Sequence, residues 1–208
     1  MRILIADDHA IVRNGLVSLL RAEFKTAEIK ETDNGADAID MARDGHWDII
    51  LLDITMPGRN GLEALKQMRL DGVKAPVLIL SMQPEDQYAI RALKAGSSGF
   101  VNKISATDEL IAAVHKVLAG KKYISDAVME KLATSITGMS EKPTHEFLSD
   151  REMQVLVLIA TGKVNADIAD HLSLSVNTIS TYRARILEKL GLNNNAELTR
   201  YALDNNLV

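Results

Sequence analysis

Four consecutive aliphatic residues, Ile49-Ile50-Leu51-Leu52, end in Asp53 and run into Ile54-Thr55-Met56-Pro57-Gly58. A strand that is apolar on both faces has to be covered on both faces, which places it inside a parallel sheet flanked by helices. Pro57 and Gly58 stop the strand and open a loop, so Asp53 falls at the carboxyl end of a central strand. In open α/β sheets that edge is where ligands and chemistry collect.

The neighbouring sequence supplies the cover. Short strand-like runs at 2–6, 27–32, 48–53, 76–81 and 99–102 alternate with amphipathic helical segments at 10–23, 36–43, 60–70, 85–95 and 107–118. Right-handed crossovers turn five such units into one doubly wound, five-stranded parallel sheet. Beyond Gly120 the pattern changes: 125–136 is helical, 138–145 reads as a solvated linker, and from Phe147 onward only helical periodicity remains. There, Ser149-Asp-Arg-Glu152 forms a capping box, with Met153, Leu156, Val157 and Ala160 as the inward stripe behind it. A short helix at 166–172, capped by Asn165, a turn at Ser173-Leu174-Ser175 and a longer helix at 176–190 make a helix-turn-helix unit, supported by a last helix at 196–205. The expected fold class is therefore α/β over 1–120, then a linker with a short helix over 121–146, then a small all-α domain over 147–208.

The 208 residues, 47% of them hydrophobic, suffice for two modest cores. Absence of cysteine excludes a disulfide framework, a thiol nucleophile and a cysteine metal site, and suits a reducing cytoplasm. The longest apolar run, 155–160, is far too short for a membrane span, so a cytoplasmic protein without membrane partners is expected. The five histidines (9, 46, 115, 145 and 171) lack metal-ligand spacing and read as structural or solvated; Trp47 and Tyr123 read as packing residues.

Asp7 and Asp8 follow the first strand and Asp53 the third, and these strands are neighbours at the crevice of such a sheet. Clustered carboxylates raise one another's pKa unless a cation is present, and an all-oxygen set that keeps waters matches Mg²⁺. Ser81 and Lys103 end the fourth and fifth strands at the same edge. A hydroxyl and an ammonium facing a carboxylate are what a phosphoryl group needs, and aspartate is a competent nucleophile toward phosphorus. Each residue alone has a dull explanation, as a cap, a strand-end hydroxyl or a solvated charge. Five of them on the ends of strands one, three, four and five do not.

Asp7-Asp8, the run from Asp53 to Gly58, Ser81 and Gly99-Phe100-Val101-Asn102-Lys103 resemble the flavodoxin-like receiver domain of bacterial response regulators. That resemblance implies that Asp53 accepts a phosphoryl group from a sensor histidine kinase. It further implies that Asp8 and Asp53 bind Mg²⁺, with Asp7 acting directly or through water and the Thr55 carbonyl as a further ligand, and that Ser81 and Phe100 rearrange as a switch. Many receivers carry proline after the lysine; Ile104 stands there here.

The segments Leu148-Ser-Asp-Arg-Glu152, Gly162, Ile168-Ala169, Leu172, Ser175, Asn177-Thr178-Ile179, Lys189-Leu190 and Ala202 are similar to the LuxR-type DNA-binding domain. Joined to a receiver, they point to the NarL/FixJ class. In the third helix of this domain Ile179, Ile186 and Leu190, with Val176 at the start, form the inward stripe. Asn177, Ser180, Thr181, Ala184 and Glu188 are left outward, to enter the major groove of promoter DNA. Arg183, Arg185 and Lys189 flank that face as phosphate contacts, with Lys163 and Tyr182 nearby. Residues 147–208 carry six Lys and Arg against seven Asp and Glu, a net charge of −1. Weak monomer binding is expected from that balance, with affinity coming from phosphorylated homodimers on paired half-sites. Aspartate-nucleophile phosphatases share the chemistry, but they need an acid two residues after the nucleophile. Thr55 stands there, so the expectation is a phosphoryl acceptor with at most slow self-dephosphorylation, not an enzyme.

Overall fold

The computed structural model describes residues 1–82, 85–103, 107–136 and 144–208. The chain divides into two compact units, Met1–Thr137 and Gly138–Val208. Ile104 and residues 137–143, which hold most of the solvated stretch expected at 138–145, lie outside the described residues.

In the first unit β1 (Arg2–Ala6), β2 (Glu28–Thr32), β3 (Ile49–Asp53), β4 (Val77–Ser81) and β5 (Gly99–Asn102) alternate with α1 (Ala10–Glu23), α2 (Gly35–Asp44), α3 (Gly61–Leu70), α4 (Glu85–Lys94) and α5 (Thr107–Leu118). The sheet is parallel with order β2-β1-β3-β4-β5. Every residue of β3 and β4 is buried, as their unbroken apolar runs require. The mostly polar β2, Glu28-Ile-Lys-Glu-Thr32, takes an edge, where one flank faces solvent.

Strand side chains alternate between faces. Ile3, Ile5, Ile49, Leu51, Leu78, Leu80 and Val101 pack with Val17 and Leu20 of α1 and with Leu110, Ala113, Val114 and Val117 of α5. Leu4, Ile50, Leu52 and Ile79 face the other side, where α2 lies against β1 and α3, and α4 against β5. The registers Ala6↔Leu52, Asp53↔Leu80 and Ser81↔Asn102 bring the ends of four strands level at one edge. After α5 the chain runs beside β5, where Tyr123 bridges Gly99, and α6 (Asp126–Ile136) then packs on α4 with Val128 buried.

The second unit opens with a 3-10 turn, Thr144–Phe147, followed by α7 (Asp150–Ala160), α8 (Asn165–Leu172), α9 (Val176–Leu190) and α10 (Asn195–Asp204). The Ser149/Glu152 capping box forms at the start of α7. Three local expectations shift. Val164, not Asn165, is the N-cap of α8, without a side-chain cap bond. In α7, Ile159 is buried while Val157 and Ala160 are only half-buried, and in α9 Leu187 joins Ile179 and Ile186 in the core while Val176 is 47% exposed. Both differences are small rotations of a helix about its axis, set by which neighbours it meets rather than by its own period. Ser173 closes α8 in the left-handed region at φ 52°, and the Ser175 hydroxyl accepts from Thr178 N–H to start α9.

Candidate phosphoryl-acceptor site and helix-turn-helix surface

The ends of β1, β3 and β5 bring three of the sequence-predicted residues into direct contact. Lys103 Nζ lies 2.7 Å from Asp7 Oδ2 and 2.7 Å from Asp53 Oδ2. Asp7 is fully buried and Asp53 is 2% exposed. Burial pushes the Asp53 carboxyl up to about 6; the Lys103 ammonium and the Thr55 backbone N–H oppose the rise, and the charge of Asp7 adds to it. Asp8 completes the group at the more open side. Ser81 is buried at the end of β4, and its carbonyl accepts from Lys103 N–H at 2.8 Å, which ties the two strand ends together. Phe100 is already inside, 2% exposed, with its N–H donating to the Tyr123 carbonyl at 3.3 Å.

Lys103 pairs with two of the three carboxylates, so the cluster has negative charge to spare when all are ionised. Oxygen donors in a crowded, partly desolvated edge fit a hard divalent cation of the Mg²⁺ type, and Asp7, Asp8 and Asp53 each bring an oxygen within 4.8 Å of the others.

Several further residues support the site. Asn60, fully buried, caps α3 in a reciprocal box with Glu63. Gly61 packs so tightly under the loop that a Cβ would sit 1.9 Å from the Asp53 carbonyl oxygen; the second glycine in Met56-Pro-Gly-Arg-Asn-Gly61 was the available signal. Arg13 of α1 donates to the Asp7 carbonyl at 2.6 Å and pairs with Glu31 at 3.3 Å. His9 also belongs to the site, with Nδ1 2.7 Å from Asp8 Oδ1. Spacing rules miss it because it is adjacent in sequence to the residue it meets.

In the second unit Asn177, Ser180, Thr181, Ala184, Arg185 and Glu188 form an exposed outer face on α9, and Lys163 is exposed before α8. Ser180 and Thr181 hydroxyls donate back to the carbonyls of Val176 and Asn177, and Asn165 reaches Ser180 across the turn at 3.4 Å. Tyr182 and Arg183 are half-buried, and Arg183 Nε donates to Asn195 Oδ1 of α10 at 2.5 Å. Lys189, grouped by sequence with the phosphate contacts, places Nζ 2.6 Å from the Glu152 carboxylate, which is 3% exposed. Burial raises the Glu152 carboxyl, but Lys189 and the Ser149 donors outweigh it and leave the group below its ordinary range. The Lys189 charge is thus engaged within the fold, joining α9 to the start of α7.

An acidic cluster and a lysine at the carboxyl edge of a β2-β1-β3-β4-β5 sheet, followed by a helix-turn-helix unit, define a receiver joined to a DNA-binding domain. Residues 3–115 match the response regulator receiver domain family and residues 146–202 the bacterial regulatory proteins of the luxR family. The chain is 32% identical to the response regulator GacA of Pseudomonas aeruginosa, over 100% of this chain and 98% of that one. It is 37% identical to the transcription regulator BvgA of Bordetella pertussis, over 100% and 99%. Among solved structures, RcsB of Salmonella enterica serovar Typhimurium, bound to a promoter in the presence of the phosphomimetic BeF3⁻, matches at 26% identity and TM-score 0.59, covering 97% of each chain. The chain therefore belongs to the NarL/FixJ class of two-component response regulators, transcription factors that combine a receiver with a LuxR-type DNA-binding domain. No helix among the described residues is long and apolar enough to cross a membrane.

Proposed function

We propose that Asp53 is the phosphoryl acceptor and that its phosphorylation controls dimerisation and sequence-specific DNA binding. The observation that carries this reading is the buried Asp53 carboxylate, paired with Lys103 beside Asp7 at the end of β3. An Asp53 oxygen attacks the phosphorus of a phosphohistidine on a partner sensor kinase. The new O–P bond forms as the N–P bond breaks, and the electron pair returns to the imidazole. Lys103 stays within reach of the transferred group and neutralises its oxygens, while the Ser81 hydroxyl donates to one of them. Asp7, Asp8, Asp53 and the Thr55 carbonyl would hold Mg²⁺, which when bound offsets the charge of the cluster and of the incoming phosphate.

In this reading residues 1–120 act as the receiver, 121–146 as the linker with a short helix and 147–208 as the DNA-binding domain of a cytoplasmic protein. Ser81 and Phe100 carry the phosphorylated state into the surface around α4 and α5. The outer face of α9 reads the major groove through Asn177, Ser180, Thr181 and Ala184. Arg185, with Lys163, Tyr182 and Arg183, meets phosphates, while Lys189 holds the helix in place. RcsB is described as two dimers bound to two parallel DNAs, which supports a dimeric output here on paired half-sites. The near-neutral balance of the domain agrees with it, since a monomer releases few counterions.

The test is phosphorylation by a small phosphodonor with Mg²⁺, read by mass, together with sedimentation and promoter binding of wild type and Asp53→Ala. Wild type gains one phosphoryl group, dimerises and binds DNA more tightly; Asp53→Ala does none of these. Equal DNA affinity of both proteins under phosphodonor overturns the reading in favour of a constitutive binder with an idle receiver.

A further inference from the structure

His9 is the N-cap residue of α1, yet its side chain makes no cap hydrogen bond. Its own N–H donates to Asp7 Oδ1 at 2.9 Å, which pins the main chain against the acidic cluster. The imidazole Nδ1 lies 2.7 Å from Asp8 Oδ1 and 3.7 Å from Asp7 Oδ1. One donor atom from each of Asp7, Asp8, His9 and Asp53 fits within a span of 4.8 Å. Donors around an octahedral ion at roughly 2.1 Å stand about 3 Å apart when adjacent and about 4.2 Å when opposite, so the four atoms have to draw together by at most roughly 0.6 Å to share one cation. The side chain is 55% exposed, which leaves the ring room to turn toward an ion without repacking the core.

The donor type matters more than the count. Carboxylates, a carbonyl and water suit Mg²⁺, which keeps its waters and gains little from nitrogen, whereas imidazole suits first-row transition ions. We propose that His9 supplies a nitrogen donor to the cation site, in a place that water takes at an all-oxygen site, so that this receiver favours Mn²⁺ over Mg²⁺ more strongly than its carboxylates alone dictate. The inference rests on the reading of Asp7, Asp8 and Asp53 as cation ligands and adds a ligand outside that set. It makes the metal loaded at the phosphorylation site a function of which divalent ion is available, through one exposed residue.

The experiment uses the full chain without phosphodonor. Affinities for Mn²⁺, from the electron paramagnetic resonance of the free ion, and for Mg²⁺, by competition, are measured for wild type, His9→Ala and His9→Gln. The glutamine amide can still donate to Asp8 but offers no imidazole nitrogen. The ratio of Mn²⁺ to Mg²⁺ affinity falls about tenfold in both variants. Electron spin-echo modulation from a coordinated imidazole nitrogen, present in Mn²⁺-loaded wild type, is lost in both. An unchanged ratio in His9→Ala, a nitrogen signal that survives in it, or a wild-type ratio in His9→Gln overturns the proposal; the last outcome reduces His9 to a residue that positions Asp8. Asp8→Asn separates the two levels. If wild type binds neither ion, or if Asp8→Asn binds both as wild type does, the cation site itself is wrong, whereas binding lost in Asp8→Asn with an unmoved ratio in His9→Ala removes His9 alone.

Discussion

Replacing Asp53 by Asn removes a buried charge while keeping the shape of the side chain. The Asp53 carboxyl is raised from its ordinary 3.8 to about 6, chiefly by burial, even with Lys103 2.7 Å away. At roughly 1.4 kcal/mol per pH unit, the rise means that ionised Asp53 costs the folded receiver about 3 kcal/mol at pH 7. The sign follows from proton counts. Between about pH 4 and pH 6 the folded state holds a proton on Asp53 that the unfolded chain has released, so this group's contribution to stability falls as pH rises through that window. Asp53→Asn is therefore expected to be more stable than wild type by about 3 kcal/mol at pH 7 in chelator-treated buffer, the gap closing toward pH 4. Urea unfolding followed at Trp47 reads the first unit alone: it is the single tryptophan of the chain, 8% exposed and packed under Arg2 at 4.7 Å. Added Mg²⁺ narrows the gap, because it stabilises the ionised wild type. A variant no more stable than wild type at pH 7, or a gap that does not change with pH, would refute the view that desolvation outweighs the Lys103 pairing.

Arg69 donates to the carbonyls of Gly96, Val73 and Ala75 from half-buried nitrogens, stapling the end of α3 to two loops. Arg69→Met strands these acceptors and is expected to cost about 2–3 kcal/mol in urea unfolding at Trp47 while leaving phosphorylation of Asp53 intact. Lys189→Ala leaves the Glu152 carboxylate without its ammonium and is expected to destabilise the second unit by about 1–2 kcal/mol, discounted for the exposure of Lys189, seen as faster hydrogen exchange in α7 and α9. Because the Glu152 carboxyl lies below its ordinary range, the stabilisation it brings is present above that range and lost as pH falls through the depressed value. The salt dependence of DNA binding should not change in Lys189→Ala, whereas Arg185→Ala should lower its slope by about one; the reverse pattern would make Lys189 a phosphate contact.

Much of this protein is written in short-range patterns. The unbroken aliphatic runs of β3 and β4, the alternation with amphipathic helices and the capping chemistry of Ser149 and Glu152 act over a few residues, so local patterning is enough to specify the doubly wound sheet, the helical second unit and the placing of Asp7, Asp8, Asp53, Ser81 and Lys103 at strand ends. What those residues do to one another depends on how distant segments pack. Lys103 shared between Asp7 and Asp53, Lys189 turned onto Glu152 and Arg69 serving three carbonyls are contacts between distant parts of the chain. They depend on strand register and on the rotation of each helix about its axis. The same rotation buried Leu187 and left Val176 exposed. Periodicity identifies a helical face to within one residue step of about 100°, and the choice within that step belongs to whatever the helix packs against.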